Sequence, residues 1–194
     1  KALLKKPINL RKELRKVIEN AGILECSLII DAIKYANPGG LKKYKGASNV
    51  LKRKQEKKKI HEIMSISSSW DRISKCYVDN YSEIFDFGLP FFNNLKKKVS
   101  KEKAIQMLYL GYASKSPDSH LLRKFGSYKA NTVMKMFKFL SLRIFRNPNK
   151  NFDYQIRLLD TYLKNLNYNP GTCADLTVTT LLIDKIKDIF KIQL

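Results

Sequence analysis

The sequence lacks long apolar runs and has few turn residues. No apolar run approaches the roughly 18 residues that a membrane-spanning helix needs, so we expect no membrane helix. The 194 residues include 8 Gly and 6 Pro, too few for a collagen-like or low-complexity chain. A β-sandwich, which turns about every 8–12 residues, is also disfavoured. The hydrophobic share of 44% instead indicates a globular chain that is long enough to bury a core.

Paired cysteines and metal-binding clusters are missing as well. Cys26, Cys76 and Cys173 are far apart and odd in number, which predicts free thiols in a reducing compartment. We expect no secretory leader and a cytoplasmic protein. His61 and His120 have no second His or Cys at ligand spacing, and no glycine-rich phosphate loop is present.

Acidic residues are few, so the chain is strongly basic. The 17 Asp and Glu stand against 38 Lys and Arg, a formal net charge of +21. Such a charge attracts polyanions such as nucleic acids, anionic lipids or phosphorylated substrates. The alternative is a lysine-rich set of solvated helix faces. Residues 42–59 hold nine basic residues against the single Glu56, which predicts a basic loop.

Apolar residues recur at helical spacing along most of the chain. This pattern predicts an all-α fold, a single-domain bundle of about eight helices over residues 1–194. The β-branched run at 177–180 favours a strand by propensity, but the shared face of Leu176, Ile183 and Phe190 favours a helix. We expect N-terminal caps at Ser69, Ser100, Ser116, Asn151 and Thr172, and helix ends at 37–40, Gly126 and Asn147.

Two segments combine features of anion-binding sites. Residues 169–176 form a Pro-Gly turn that leads into a helix start, and its backbone N–H groups can cradle a phosphate. The alternative is an ordinary capping box with Thr172 at the cap and Asp175 three residues later. Residues 117–126 place Asp118 in the first turn of a helix, with Arg123 and Lys124 one turn further on. The alternative there is a solvated, charged helix.

A third segment, residues 70–90, carries acids among aromatic residues. Asp71 and Glu83 are the acids, and Tyr77 and Tyr81 lie between them. From spacing alone, an apolar core stripe with its acids at the rim is the preferred interpretation. The functional alternative places these four residues around a site without direct contact with substrate.

Four stretches in order resemble the ATP:dephospho-CoA triphosphoribosyltransferase family, also called triphosphoribosyl-dephospho-CoA synthase, and its archaeal branch above all. They are AIKYANPGGL at 32–41, the run from Trp-Asp to Gly-Leu-Pro at 70–90, PDSHLLRKFG at 117–126, and NPGTCADL at 169–176. The resemblance covers residues 10–182. Family members carry two earlier motifs, resembling Lys-Pro-Gly-Asn-Val and Asn-Thr-Asn-Leu-Gly, that this sequence lacks. We therefore expect it to correspond to the C-terminal two-thirds of the family's domain.

The resemblance implies the transfer of the triphosphoribosyl unit of ATP to the ribose 2′-hydroxyl of dephospho-CoA, with adenine as the leaving group. It also implies Mg²⁺ and basic residues at the triphosphate. The residues of suitable type are Asp118 and Asp175 for catalysis or Mg²⁺, and Arg123, Lys124, Asn169, Gly171 and Thr172 for phosphates. The residues expected to surround this site without contacting the substrate are Asp71, Tyr77, Tyr81 and Glu83.

Two alternatives belong to other classes of function. The charge of +21 fits a basic α-helical nucleic-acid-binding protein with nonspecific, salt-dependent affinity, although no base-reading motif is present. The missing motifs fit a non-catalytic subunit of a split enzyme, which a separate chain completes against the apolar Leu3, Leu4, Ile8 and Leu10. A chain without those motifs is expected to bind ATP–Mg²⁺ weakly and to turn over poorly alone.

Overall fold

Ten α-helices and one π-helix make up the computed structural model over residues 9–36 and 58–190, which are the residues it describes. The helices are α1 (Leu10–Asn20), α2 (Ile23–Ala36), α3 (Ile60–Ser65), α4 (Arg72–Val78), the π-helix (Glu83–Gly88), α5 (Leu89–Lys96), α6 (Lys101–Lys115), α7 (Ser119–Phe125), α8 (Ser127–Arg146), α9 (Asp153–Asn165) and α10 (Gly171–Phe190). No β-strand occurs in these ranges, so the all-α prediction is confirmed. The β-branched run at 177–180 lies inside α10, as the apolar face indicated.

Several predictions fall outside the described ranges. The helix stop at 37–40, the apolar residues Leu3, Leu4 and Ile8, and all but the last two residues of the basic loop at 42–59 belong to them. Across 9–36 and 58–190, none of the helices has the length and hydrophobicity required to cross a membrane. The division of 1–194 as one domain stays a prediction.

The described chain forms two compact units, of which the first ends at Phe85 and resumes at Thr179. Its core contains the buried Cys26 and Ile30 of α2 together with Ile60, Ile63 and Met64 of α3. Partly buried side chains from α1 and α4, among them Ile18 and Tyr77, pack against this cluster. The apolar spacing that predicted these helices therefore follows the face that each one buries.

The second unit spans Asp86–Val178 and is built around α6. α6 packs against α5 and α8, and α7 packs against α8. Gly111 on α6 permits close contact with α5, since a Cβ at this position would stand 2.7 Å from Cε1 of Phe91. Phe91 stacks on Phe87, whose ring meets Tyr112 edge-on with 5.3 Å between ring centroids. The result is an aromatic layer beneath α6.

Two predicted N-caps are corrected by nearby aspartates. α4 is capped by Asp71 and α7 by Asp118, in place of the predicted Ser69 and Ser116. Asp118 is thus the cap of α7 and lies ahead of its first turn. The physical reason is that one carboxylate accepts several N–H groups at once, and charge-assisted bonds of this kind are stronger than those to a hydroxyl. Ser100 caps α6 as predicted, although with a hydrogen bond of 3.3 Å.

The start of α10 also differs from the prediction. The helix begins at Gly171, so Thr172 lies in its first turn and Asp175 is its fifth residue. The Thr172 hydroxyl accepts a hydrogen bond from the backbone N–H of His120, which lies in α7. The predicted capping box is therefore wrong, because the threonine serves a neighbouring helix instead of its own. Asn151 does accept the N–H of Asp153, at 2.8 Å, but the cap position of α9 is Phe152.

The predicted C-terminal ends at Gly126 and Asn147 are confirmed. Gly126 follows α7 with φ +84°, a left-handed backbone conformation that an L side chain rarely adopts. It lets α8 begin directly after α7, and the two helices pack against each other within the second unit.

Candidate active site

A buried carboxylate joins the starts of α7 and α10 in the second unit. Oδ1 of Asp118 accepts the N–H groups of His120 at 2.8 Å and Leu121 at 3.1 Å. Oδ2 accepts the N–H of Cys173, in the first turn of α10, at 2.8 Å. Asp118 is only 4% exposed, and these three bonds satisfy both carboxylate oxygens. The same side chain therefore caps one helix and receives a helix-start N–H group of the other.

The anionic group at the start of α10 is thus the carboxylate of Asp118, a side chain of the protein itself. The sequence predicted that phosphate would contact this helix start through Gly171 and Thr172. In the structure the N–H of Gly171 donates to the carbonyl of Asn169 at 2.9 Å, and the N–H of Cys173 donates to Asp118. Thr172 is buried and accepts from His120 at 3.2 Å. The phosphate contacts of Asn169, Gly171 and Thr172 stay predictions.

The imidazole of His120 lies against this helix start. A Cβ on Gly171 would come within 3.4 Å of Nδ1 of His120, so the glycine leaves room for the ring. Nε2 of His120 is buried and makes no hydrogen bond in the described part of the chain. Burial lowers the pKa of His120 below its usual value, and the charge of Arg123 lowers it further. The imidazole is therefore neutral at neutral pH.

Charged side chains of both signs surround His120. Arg123 and Lys124 of α7 disfavour its protonated form, whereas Asp118 and Asp175 favour it. Asp175 lies on an exposed part of α10, and its own pKa is raised, first by partial desolvation and then by the charge of Asp118. The structure thus brings the predicted cations of α7 together with both predicted aspartates. A carboxylate whose charge is disfavoured in this way is a favourable place for a cation.

A cavity of about 850 Å³ lies beside this junction, also within the second unit. Its lining comes mainly from apolar residues of α6, α8 and α9 and from the first turns of α10. Two predicted site residues, Lys124 and Asn169, contribute to its wall. Neither Asp118 nor Asp175 does so, and the polar junction and the cavity are therefore neighbouring but separate features.

The remaining predicted acids lie in the first unit. Asp71 caps α4 and accepts the N–H groups of Ile73 and Ser74, both at 3.0 Å. Glu83 accepts Nε and Nη2 of Arg72 at 3.0 and 2.5 Å, and both side chains of this ion pair are nearly buried. Burial, and after it the charge of Glu83, raises the pKa of the Cys76 thiol to about 12. The acids therefore stabilise this unit, and burial, aided by the charge of Glu83, keeps the thiol protonated.

The predicted tyrosines also belong to the first unit. The rings of Tyr77 and Tyr81 are 5.7 Å apart between centroids, and burial together with Tyr77 raises the pKa of Tyr81 far above its usual range. Asn80 and Tyr81 both adopt left-handed backbone conformations, with φ 58° and 56°. Two such residues in succession end α4 and lead into the π-helix, a rare element that is often found at functional sites. The role of this group around the substrate stays a prediction.

Comparison with known proteins assigns the family. The family model of ATP:dephospho-CoA triphosphoribosyl transferase matches residues 1–193. This chain belongs to that family. A crystal structure from Archaeoglobus fulgidus, described as a candidate triphosphoribosyl-dephospho-CoA synthase, superposes with a TM-score of 0.67 at 22% identity, over 89% of this chain and 69% of that chain. No curated protein matches. The resemblance found in the four sequence stretches is confirmed.

In this member of the triphosphoribosyl transferase family, sequence reasoning missed His120. A histidine without a second His or Cys at ligand spacing predicts neither a metal site nor a catalytic triad. Its position beside the start of α10 depends on a contact between segments that are distant in the sequence. One local pattern could have found it. His120 stands two residues after Asp118 and three before Arg123, inside the stretch that carried the family resemblance.

Proposed function

We propose that this chain transfers the triphosphoribosyl group of ATP to the ribose 2′-hydroxyl of dephospho-CoA and releases adenine. The observation that carries the proposal is the match of the family model across residues 1–193. The junction of α7 and α10 supports it, because Arg123, Lys124 and Asp175 lie together there around His120. These are the cationic and acidic groups that such a transfer requires.

The reaction exchanges one bond at C1′ of the ATP ribose. The bond from C1′ to the adenine nitrogen breaks, and a bond from C1′ to the acceptor's 2′-oxygen forms. The acceptor hydroxyl loses a proton and the leaving adenine gains one. Positive charge develops at C1′ as in glycoside hydrolysis, so a nearby carboxylate stabilises the transition state.

The charged side chains of the junction have distinct roles in this proposal. Arg123 and Lys124 bind the triphosphate, whose charge they complement. Asp175, on the exposed part of α10, is the carboxylate that faces the substrate. Asp118 is a positioning residue, since its oxygens already accept three backbone N–H groups that hold α7 against α10. Through it, the cations of α7 keep a fixed distance from Asp175.

Magnesium fits this site only in association with the nucleotide. The described residues contain no group of three or more His, Cys, Asp or Glu side chains able to hold a metal ion. In nucleotide sites Mg²⁺ is commonly held by one or two carboxylates together with the substrate phosphates. Asp175 suits such a shared site, whereas the buried Asp118 does not favour it. Bound there, the ion would neutralise phosphate charge.

The test is adenine release from ATP in the presence of dephospho-CoA and Mg²⁺, followed by chromatography and by the mass of the product. We expect adenine and the triphosphoribosyl product in equal amounts, and no adenine with an acceptor whose ribose lacks the 2′-hydroxyl. Hydrolysis of ATP to ADP without adenine, or the absence of any turnover, would contradict the proposal.

A further inference from the structure

The cavity beside the junction has an apolar floor and a polar mouth. Leu110, Phe137 and Leu163 line it and are at most 5% exposed. Its volume of about 850 Å³ lies within the range of sites that enclose a whole small molecule. A highly charged triphosphate has no place on such a floor, because the desolvation of phosphate oxygens there would go uncompensated. The cavity therefore suits a neutral, partly apolar part of a substrate.

The mouth of the cavity carries carboxamides and cations. Gln106, Asn167 and Asn169 are exposed residues of its wall and offer both donors and acceptors. Lys124 and Arg157 add positive charge, and the wall also contains the ion pair of Lys164 with Asp160, at 2.6 Å. A ligand that fits this wall has amide groups for the carboxamides, methyl groups for the floor and a phosphate end for the cations.

The aromatic residues of the wall pack against other aromatic rings. Tyr109 meets Phe137 edge-on with 5.8 Å between ring centroids, and Tyr168 packs on Phe125 at 4.7 Å. Leucine, isoleucine and valine side chains supply most of the remaining apolar wall. Such a wall suits methyl and methylene groups better than it suits a purine, which binds best on an open aromatic face.

We propose that this cavity binds the pantetheine arm of dephospho-CoA, with the pyrophosphate at Arg157, while Lys124 contacts the triphosphate of ATP. The inference rests on the proposed function and assigns one part of the acceptor to one place in the fold. Dephospho-CoA is ADP extended by this arm, which carries two amides, a geminal dimethyl group and a thiol. The cavity therefore distinguishes dephospho-CoA from a plain nucleotide acceptor.

The test compares the binding of dephospho-CoA and ADP by calorimetry in the parent chain and in two variants. Val178→Trp fills the wall of the cavity from an exposed position on α10, 64% exposed in the parent. Leu182→Trp is the matched control, because Leu182 is 57% exposed one turn further along the helix and is not part of the cavity wall. Far-UV circular dichroism and the melting temperature check that both variants fold.

In the parent, dephospho-CoA binds at least tenfold more tightly than ADP. Val178→Trp removes this advantage and leaves the ADP affinity within twofold, whereas Leu182→Trp changes neither. Equal weakening of both ligands by Val178→Trp would place the adenine end in the cavity, and no weakening of either would show that the cavity is unused. A parent that binds dephospho-CoA no more tightly than ADP overturns the assignment without any variant.

The failure of this inference is distinguishable from failure of the proposed function. A parent chain that releases adenine from ATP, together with a Val178→Trp variant that binds dephospho-CoA like the parent, overturns the cavity assignment alone. A parent chain that binds neither nucleotide and releases no adenine overturns both.

Discussion

Replacing Asp118 with alanine tests whether one carboxylate holds α7 and α10 together. The substitution removes the acceptor of three backbone N–H groups. The N–H of His120 retains the Thr172 hydroxyl at 3.2 Å. The N–H groups of Leu121 and Cys173 lose the partner that Asp118 provides, in a place where the side chain is 4% exposed. We therefore expect a loss of stability well above that of an ordinary cap.

The magnitude follows from the two N–H groups that lose the Asp118 carboxylate. The loss of a buried hydrogen-bond acceptor costs about 1–3 kcal/mol per donor, so two donors cost roughly 2–6 kcal/mol. This is a large part of the roughly 5–15 kcal/mol that stabilises a typical domain. Asp118→Asn keeps one acceptor oxygen for α7 but places an NH₂ group opposite Cys173, so we expect it to cost about 1–3 kcal/mol.

Urea unfolding at neutral pH, followed by far-UV circular dichroism, measures both variants. Ser100→Ala is the control, because Ser100 caps α6 from an exposed position through a single bond of 3.3 Å, and its loss should cost about 0.5 kcal/mol. If Asp118→Ala costs no more than this control with an unchanged m-value, the carboxylate does not join the helices. Adenine release per folded molecule separates the two roles, since a positioning Asp118 leaves the Asn variant active and a catalytic one does not.

Three further predictions concern other charged and reactive groups. Asp175→Asn should weaken Mg²⁺-dependent ATP binding at least tenfold without lowering the melting temperature. Asp188→Asn is the control and should change neither quantity, since Asp188 is exposed on the same helix. Equal ATP affinities in the parent and in Asp175→Asn would mean that Asp175 has a purely structural role. The pKa of Cys76, raised from 9.0 to about 12, implies about a thousandfold less thiolate at pH 8. A thiol reagent should therefore modify Cys76 only after the chain unfolds. Rapid labelling of the native chain would show that the thiol is accessible. Glu83→Gln removes one charge of the nearly buried Arg72–Glu83 ion pair and should cost about 3–5 kcal/mol in urea unfolding. A cost below about 1 kcal/mol would mean that the pair is solvated.

The helices could be predicted because the faces that they bury impose a period on the sequence. Along α8 the apolar Ala130, Val133, Phe137, Leu140 and Ile144 are spaced by three or four residues, and all five are buried. Such a pattern is local and repeated, so single deviations do not hide it.

The caps could not be predicted in the same way. Ser116 and Asp118 both stand before α7, and either residue type can cap a helix. The choice of Asp118 involves a third hydrogen bond to Cys173, which is 55 residues away in the chain. No local pattern contains that partner.

The candidate site was partly visible in the sequence. The stretches at 117–126 and 169–176 suggested a shared site through the family resemblance, and the structure joins them at Asp118. The cavity was not visible, because residues such as Leu163 and Phe137 have the same spacing whether they fill a core or line a pocket. A hydrophobic period reports that a residue faces inward and does not report what it faces.

The shared carboxylate of Asp118 has a consequence for hydrogen exchange. α7 has seven residues, too few to persist as a helix by itself. The start of α10 therefore contributes to protecting the first turn of α7 from exchange, since the amides of Leu121 and Cys173 both donate to Asp118. Two stretches 55 residues apart are expected to open and to exchange their amide hydrogens as one cooperative unit. The chain between them forms a loop that closes at Asp118 and at the bond from His120 to Thr172.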